Sequence, residues 1–279
     1  MKFSKLTKGI LVASVLTVAS FGANAGAIAT SKVDIDNLLF TFETLAAVPV
    51  TTSTFSGSQA TASVNGNGST EVWSSGGPPL LLAYSEGSGN DVSGTGAYGN
   101  VDLSGNLLSG GANGLTESSA SAYADSTATG QAEIQNIIEG TIQGANDQNL
   151  LLTISFDWLV NLYSEVTTNQ SPQKATSSYV FNIEIESADG NEFYEIDLKS
   201  IIGGSDKKTQ LTLGNNALDV SGSYTNSGSK FLIKDNTSYS FTIAQESKSD
   251  VVSVAEPASI AMLGLSLLGL AGISRRRKL

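Results

Sequence analysis

The chain has 279 residues, with 26 acidic against 15 basic side chains, a formal net charge of −11, and neither cysteine nor histidine. Missing both residue types excludes disulfides, thiol nucleophiles, Ser-His-Asp triads and zinc sites built on imidazole or thiolate. Any chemistry must come from carboxylates, hydroxyls, lysine or an oxygen-ligated metal.

In chain order, Lys2, Lys5 and Lys8 precede an apolar run from Gly9 to Phe21 and then the small-residue triplet Ala23-Asn24-Ala25. That order is the pattern of a secretory signal peptide over residues 1–25, cleaved after Ala25 and delivered through the Sec export machinery. The run is shorter than the roughly 20 apolar residues of a spanning helix. Seven of the 15 basic residues lie in the two ends of the chain: Lys2, Lys5, Lys8, Arg275, Arg276, Arg277 and Lys278. Residues 26–253 therefore hold eight lysines, no arginine and 25 acidic residues, a net charge of −17. A surface this acidic repels phosphate backbones and anionic lipid headgroups, so no nucleic-acid partner is expected.

The segment VDIDNLLFTFETL, ahead of Pro49, reads as a first strand or a short helix. Residues 50–130 shift towards Ser, Thr, Gly, Ala and Asn, yet apolar residues recur too regularly for a linker. In SASAYADSTATGQAEIQNIIEG the small or apolar side chains Ala120, Ala122, Ala124, Ala128, Ala132, Ile134 and Ile138 take alternate positions. That is strand periodicity with small inward side chains, as closely packed sheets allow. Long loops are expected between these strands. GSGNDV, from Gly87 to Val92, superficially resembles one turn of a calcium-binding Gly-Asp repeat, but such sites need tandem copies and this is read as a loop.

Farther on, LLLTISFDWLVNLYSEV places Ile154, Phe156, Trp158, Val160 and Leu162 on one face. A hairpin is expected around Asp189-Gly190, a pair that favours a two-residue type I′ turn. Centred there, Ile185 faces Tyr194, Ile183 faces Ile196 and Phe181 faces Leu198, so every inward pair is apolar. A last strand carries Tyr239, Phe241 and Ile243 on one side. Short alternating strands with Gly- and Asn-rich turns and no long helix indicate an all-β, antiparallel β-sandwich of jelly-roll type.

The same hairpin register sets Glu184 opposite Glu195, with Glu186, Glu192 and Asp197 close by. Like charges across a ladder repel, and three readings compete for them. One is a solvated acidic face. The second is a calcium site built from Glu184, Glu195 and Asp197, calcium being the one cofactor this sequence suggests. The third is a retaining-glycosidase carboxylate pair, Glu184 and Glu195. Trp158 is expected in the core. Trp73, in EVWSSGGPP, is read either as core or, with Tyr84, as a platform for stacking on a sugar ring. No nucleophile signature accompanies the abundant serines, so the chain is read as a non-enzyme.

The C-terminal stretch, residues 254–279, begins Val254-Ala255-Glu256-Pro257. An apolar run over 258–273 follows, and then Arg275-Arg276-Arg277-Lys278 as a basic tail at 275–278. The basic block is expected to stay cytoplasmic, and a span this short is a poor permanent anchor. This tripartite arrangement resembles the PEP-CTERM sorting domain of Gram-negative bacteria, with Ala255 standing where that family has its first proline. The resemblance implies a transient stay in the inner membrane and recognition by exosortase, a membrane-embedded transpeptidase or protease that cuts near the motif. It further implies an exported protein of the cell surface or extracellular matrix, associated with exopolysaccharide, biofilm or floc formation. The residue-level alternatives are a carbohydrate-binding β-sandwich module, with or without calcium, and the carboxylate glycosidase.

Overall fold

A computed structural model describes residues 26–253 except 44–47, 66, 77–82, 89–95, 108–109, 123–125, 144–148, 168–172 and 227–229. Residues 1–25, expected to be a signal peptide, the tail 254–279 and Ala124 lie outside the described residues. Among the described residues no helix is long and apolar enough to cross a membrane.

Alternation of apolar and polar side chains produces strands nearly everywhere. They are β1 (Ala27–Phe42), β2 (Val48–Val64), β3 (Asn67–Gly76), β4 (Ala83–Ser88) and β5 (Gly96–Asn106), then β6 (Gly111–Ala122), β7 (Ser126–Gln143) and β8 (Leu150–Val166). After these come β9 (Gln173–Ser187), β10 (Phe193–Asp197), a one-turn helix α1 (Leu198–Ile202), β11 (Lys207–Gln210), β12 (Gly214–Thr225), β13 (Phe231–Ile233) and β14 (Thr237–Ser253). They form two seven-stranded antiparallel sheets packed as a sandwich. The first has the order β12-β8-β1-β6-β5-β4, with β13 also on β8; the second has β10-β9-β14-β7-β2-β3, with β11 also on β9.

The segment VDIDNLLFTFETL is strand, not helix. Asn37 takes a left-handed φ of 56° where the register of β1 shifts, and the resulting bulge realigns Leu38 and Phe40 with the core. The Ser/Thr/Gly-rich region 50–130 likewise forms strands β2 to β6, and the β2–β3 link is a tight turn at Asn65, not a long loop. Gly87 and Ser88 end β4, so the first part of GSGNDV is strand; the rest lies outside the described residues.

The interior changes character along the strands. One end holds bulky side chains, among them Val33, Ile35, Phe40, Ile154, Phe156, Leu162, Phe181, Ile183, Phe241 and Ile243. The other holds Ala27, Ala29, Ala62, Ala97, Ala120, Ala122, Ala128 and Ala175, with Val64 and Val251. Between them runs a buried polar seam. Thr116 Oγ1 meets Ser247 Oγ at 2.9 Å, Ser118 meets Ser249 at 2.9 Å, and Ser164 meets Ser177 at 3.0 Å, each pair bridging the two sheets. Gln245 Nε2 reaches across to the carbonyls of Val33 and Gly114 at 3.1 and 3.0 Å. Buried hydroxyls and amides are tolerable only when paired, and the seam supplies the partners.

Small side chains let the sheets close beyond the usual spacing of about 10 Å. A Cβ placed on Gly130 would stand 2.2 Å from the carbonyl oxygen of Tyr98, and one on Gly99 would stand 2.3 Å from that of Gln131. The two backbones touch there.

Candidate functional site

The β9–β10 hairpin has the expected register. Tyr194 pairs with Ile185, Ile196 with Ile183, and Glu195 with Glu184. Two details differ. The pairing stops at Asp197–Asn182, because Asp197 caps α1 and turns Leu198 into the helix, still fully buried but no longer opposite Phe181. The turn is also wider than a two-residue I′ turn. Gly190 N donates to Ser187 O at 2.9 Å, Gly190 has φ 68°, and Ser187 N donates to Glu192 O. The Asp189 side chain makes this possible by accepting from Ser187 Oγ, Asn191 N and Asn191 Nδ2 at 2.6, 3.1 and 2.7 Å. The bonds from Ser187 and then Asn191 hold its carboxyl down at about 2.

The hairpin carboxylates are largely committed to structure. Asp197 accepts from Lys199 N and Ser200 Oγ, both at 3.0 Å. Glu184 accepts from Asn182 Nδ2 at 2.9 Å, while Glu195 and Glu186 are exposed. Among the described residues no group of three or more carboxylates is gathered closely enough to hold a metal ion. Glu192 is tied to Lys234 Nζ at 2.7 Å and receives the Tyr239 hydroxyl, which in turn accepts from Lys234 N at 2.9 Å. The Lys234 bond and then the Tyr239 bond lower the Glu192 carboxyl; burial first, then Glu192, raises the Tyr239 hydroxyl. This clamp joins the hairpin loop to the start of β14. Sequence reasoning placed Glu192 nearby but had no signal for Lys234 or Tyr239, which are remote in the chain.

A second polar surface, not foreseen from the sequence, lies on the outward face of the first sheet. Register aligns Asp219, Asn161, Lys32, Glu117 and Asn100 in one row across β12, β8, β1, β6 and β5. Lys32 Nζ stands 3.3 Å from Glu117 and 3.6 Å from Asp34. Burial raises the Asp34 carboxyl, with Lys32 pulling the other way; burial and then Asp157 raise Asp36. Asn100 Oδ1 is buried and accepts no hydrogen bond among the described residues. The alternation Lys32-Asp34-Asp36 was the available signal, but only the sheet order brings Asn100, Glu117 and Asn161 beside it.

Trp158 packs against the bulky core, over Gly222 of β12. Trp73 pairs with Ser58 on β3, at the edge of the second sheet, and Tyr84 pairs with Asp102 on β4, at the edge of the first. Their side chains lie outside the described ones, as do the residues expected to form a sorting motif, Val254, Ala255, Glu256, Pro257, Arg275, Arg276 and Arg277, and those expected to flank a cleavage site, Ala23 and Ala25. The two junctions with those segments meet. Gly26 N donates to Ala122 O, and a Cβ on Gly26 would stand 2.8 Å from Ser253 Oγ. Residues 1–25 and 254–279 therefore both join the body at its alanine-rich end. Comparison with protein-family models, curated proteins and solved structures finds no match.

Proposed function

We propose that this chain is an exported, non-enzymatic protein of the cell surface or extracellular matrix. It is sorted by exosortase-type processing of its C-terminal signal, and it works in exopolysaccharide, biofilm or floc formation. The tripartite tail carries this reading: Glu256-Pro257, the apolar run over 258–273 and the block Arg275-Arg276-Arg277-Lys278. The architecture supports it, because both membrane-directed segments leave from one end of the sandwich, so a body held at the membrane keeps the β9–β10 turn at its other end pointing away. The wind is read as jelly-roll-like, on the ground that β1–β2 lies antiparallel to β6–β7 through both sheets. Mass spectrometry of the protein recovered from outside the producing cell tests the sorting step. Peptides between Leu263 and Ser274 are expected to be absent, and their recovery overturns the reading.

One observation favours a second reading, a carbohydrate-binding module. Asn100 Oδ1 is a buried acceptor lacking a donor among the described residues, in a row of amides and carboxylates that suits a hydroxyl-rich ligand. A glycan array without a ligand removes this alternative.

A further inference from the structure

We infer that two copies of this chain associate through β12, edge to edge and antiparallel, so that their first sheets join into one continuous sheet.

β12 is the outermost strand of that sheet over twelve residues, pairing with β8 without a single register shift. Its inner row is well anchored: Leu218, Val220 and Tyr224 pack on the core, and Tyr224 lies 5.2 Å from the Phe156 ring. Among the described residues nothing pairs with its outer edge. Long edge strands normally carry lysine, proline or a bulge that blocks further pairing. GNNALDVSGSYT has none of these, and Asp219 is its one charge.

The direction of the backbone groups follows from the end of the strand. Asn226 N donates to Ile154 O at 3.2 Å, continuing the β12–β8 register. Antiparallel ladders alternate, so even-numbered residues bond to β8. The N–H and C=O groups of Asn215, Ala217, Asp219, Ser221, Ser223 and Thr225 then face the open edge.

Only some registers suit a second copy of the same strand. Centring the twofold on Val220 pairs Asp219 with Ser221, Ala217 with Ser223, and Asn215 with Thr225, each through edge-facing groups. Centring it on Asp219 would set two carboxylates against each other. The Val220 register uses the whole edge and opposes no like charges.

The ends agree. Among the described residues the exposed large apolar side chains include Leu211 and Leu213, just before β12, and Leu232, on β13 beyond its far end. Leu232 pairs with Leu151 of β8, past the last pair of β12, and an antiparallel twofold brings that end of one copy towards the turn before β12 in the other. The association gives the matrix reading a means of assembly and rests on it only for biological purpose. The tail can be processed whether or not the edge pairs, so the two fail separately.

The test is sedimentation velocity on the purified full chain in mild detergent, over a dilution series. A dimer is expected, strengthened by added salt because the −17 body repels its copy. Ser221→Pro removes one edge-facing N–H, leaves the β8 ladder intact, and should abolish the dimer without altering the circular-dichroism spectrum. Ser221→Asp, which faces Asp219 of the second copy, should weaken association about tenfold; adding Asp219→Lys should restore it. In this cysteine-free chain Val220→Cys stands on the axis, where non-bonded antiparallel pairs have Cα atoms about 4.5 Å apart, close enough for a disulfide. It should cross-link to its own copy, and Ala217→Cys should not. A monomer at every concentration, a dimer indifferent to these variants, or equal cross-linking by both cysteines overturns the inference.

Discussion

Replacing Gly130 with alanine tests the close approach of the two sheets. The added Cβ would stand 2.2 Å from the carbonyl oxygen of Tyr98 and 2.4 Å from that of Ser119, where ordinary contact begins at 3.4 Å. Both obstacles are backbone, so no rotamer change relieves them, and the sheets must part locally by about 1 Å. Parting them stretches the neighbouring inter-sheet bonds Ser118–Ser249 and Thr116–Ser247, each 2.9 Å. Overpacking costs about 1–3 kcal/mol, and each weakened buried hydrogen bond adds roughly 1 kcal/mol. The sum is about 3–5 kcal/mol, which lowers Tm on the order of 10 °C for a body this size. Gly190→Ala is the control: its φ is 68° with nothing within 4 Å, so only the left-handed backbone is penalised, by about 1 kcal/mol. Urea unfolding of both variants supplies the comparison. A Gly130→Ala protein as stable as Gly190→Ala would refute the contact between backbones.

Two further outcomes follow from the buried and charged groups. Tyr179 is 2 % exposed, and its hydroxyl has no hydrogen-bond partner among the described residues; burial first, then Asp197 and Asp206, push it up to about 12. Tyr179→Phe should therefore stabilise the fold by about 1 kcal/mol in urea unfolding, and a loss of stability would mean the hydroxyl is satisfied. Asp189 is held at about 2 against an ordinary 3.8. Its contribution is fully present above 3.8 and is lost as pH falls towards 2. The urea midpoint of Asp189→Asn should consequently fall less than that of the native chain between pH 4 and pH 2; parallel curves would refute the role of the Ser187 and Asn191 bonds.

Period-two alternation made much of the strand content readable, because in a two-layer sandwich each strand buries one side only. The register of the β9–β10 hairpin was readable for the same reason, since sliding it by one residue would expose Ile183, Ile185 and Ile196. Its turn was not, because Asp189-Gly190 suits several turn types. What selected one was the set of bonds that the Asp189 carboxylate accepts from Ser187 and Asn191. The end of β10 was missed because Asp197 can continue a strand or cap a helix, and the cap prevails once Leu198 is buried from α1.

By itself the amino-acid sequence determined the composition of each face, the acidity of the body and the segments at its two ends, since these depend on side chains near one another in the chain. Tertiary structure decided everything that joins remote strands. Thr116 meets Ser247, and Ser118 meets Ser249, across 131 residues. Glu192 finds Tyr239 and Lys234, and β12 is outermost in its sheet, with nothing among the described residues paired to its outer edge. Alternation states which side of a strand is buried but not which strand lies beside it. Sheet order is set by how the whole set of side chains packs and pairs between the layers.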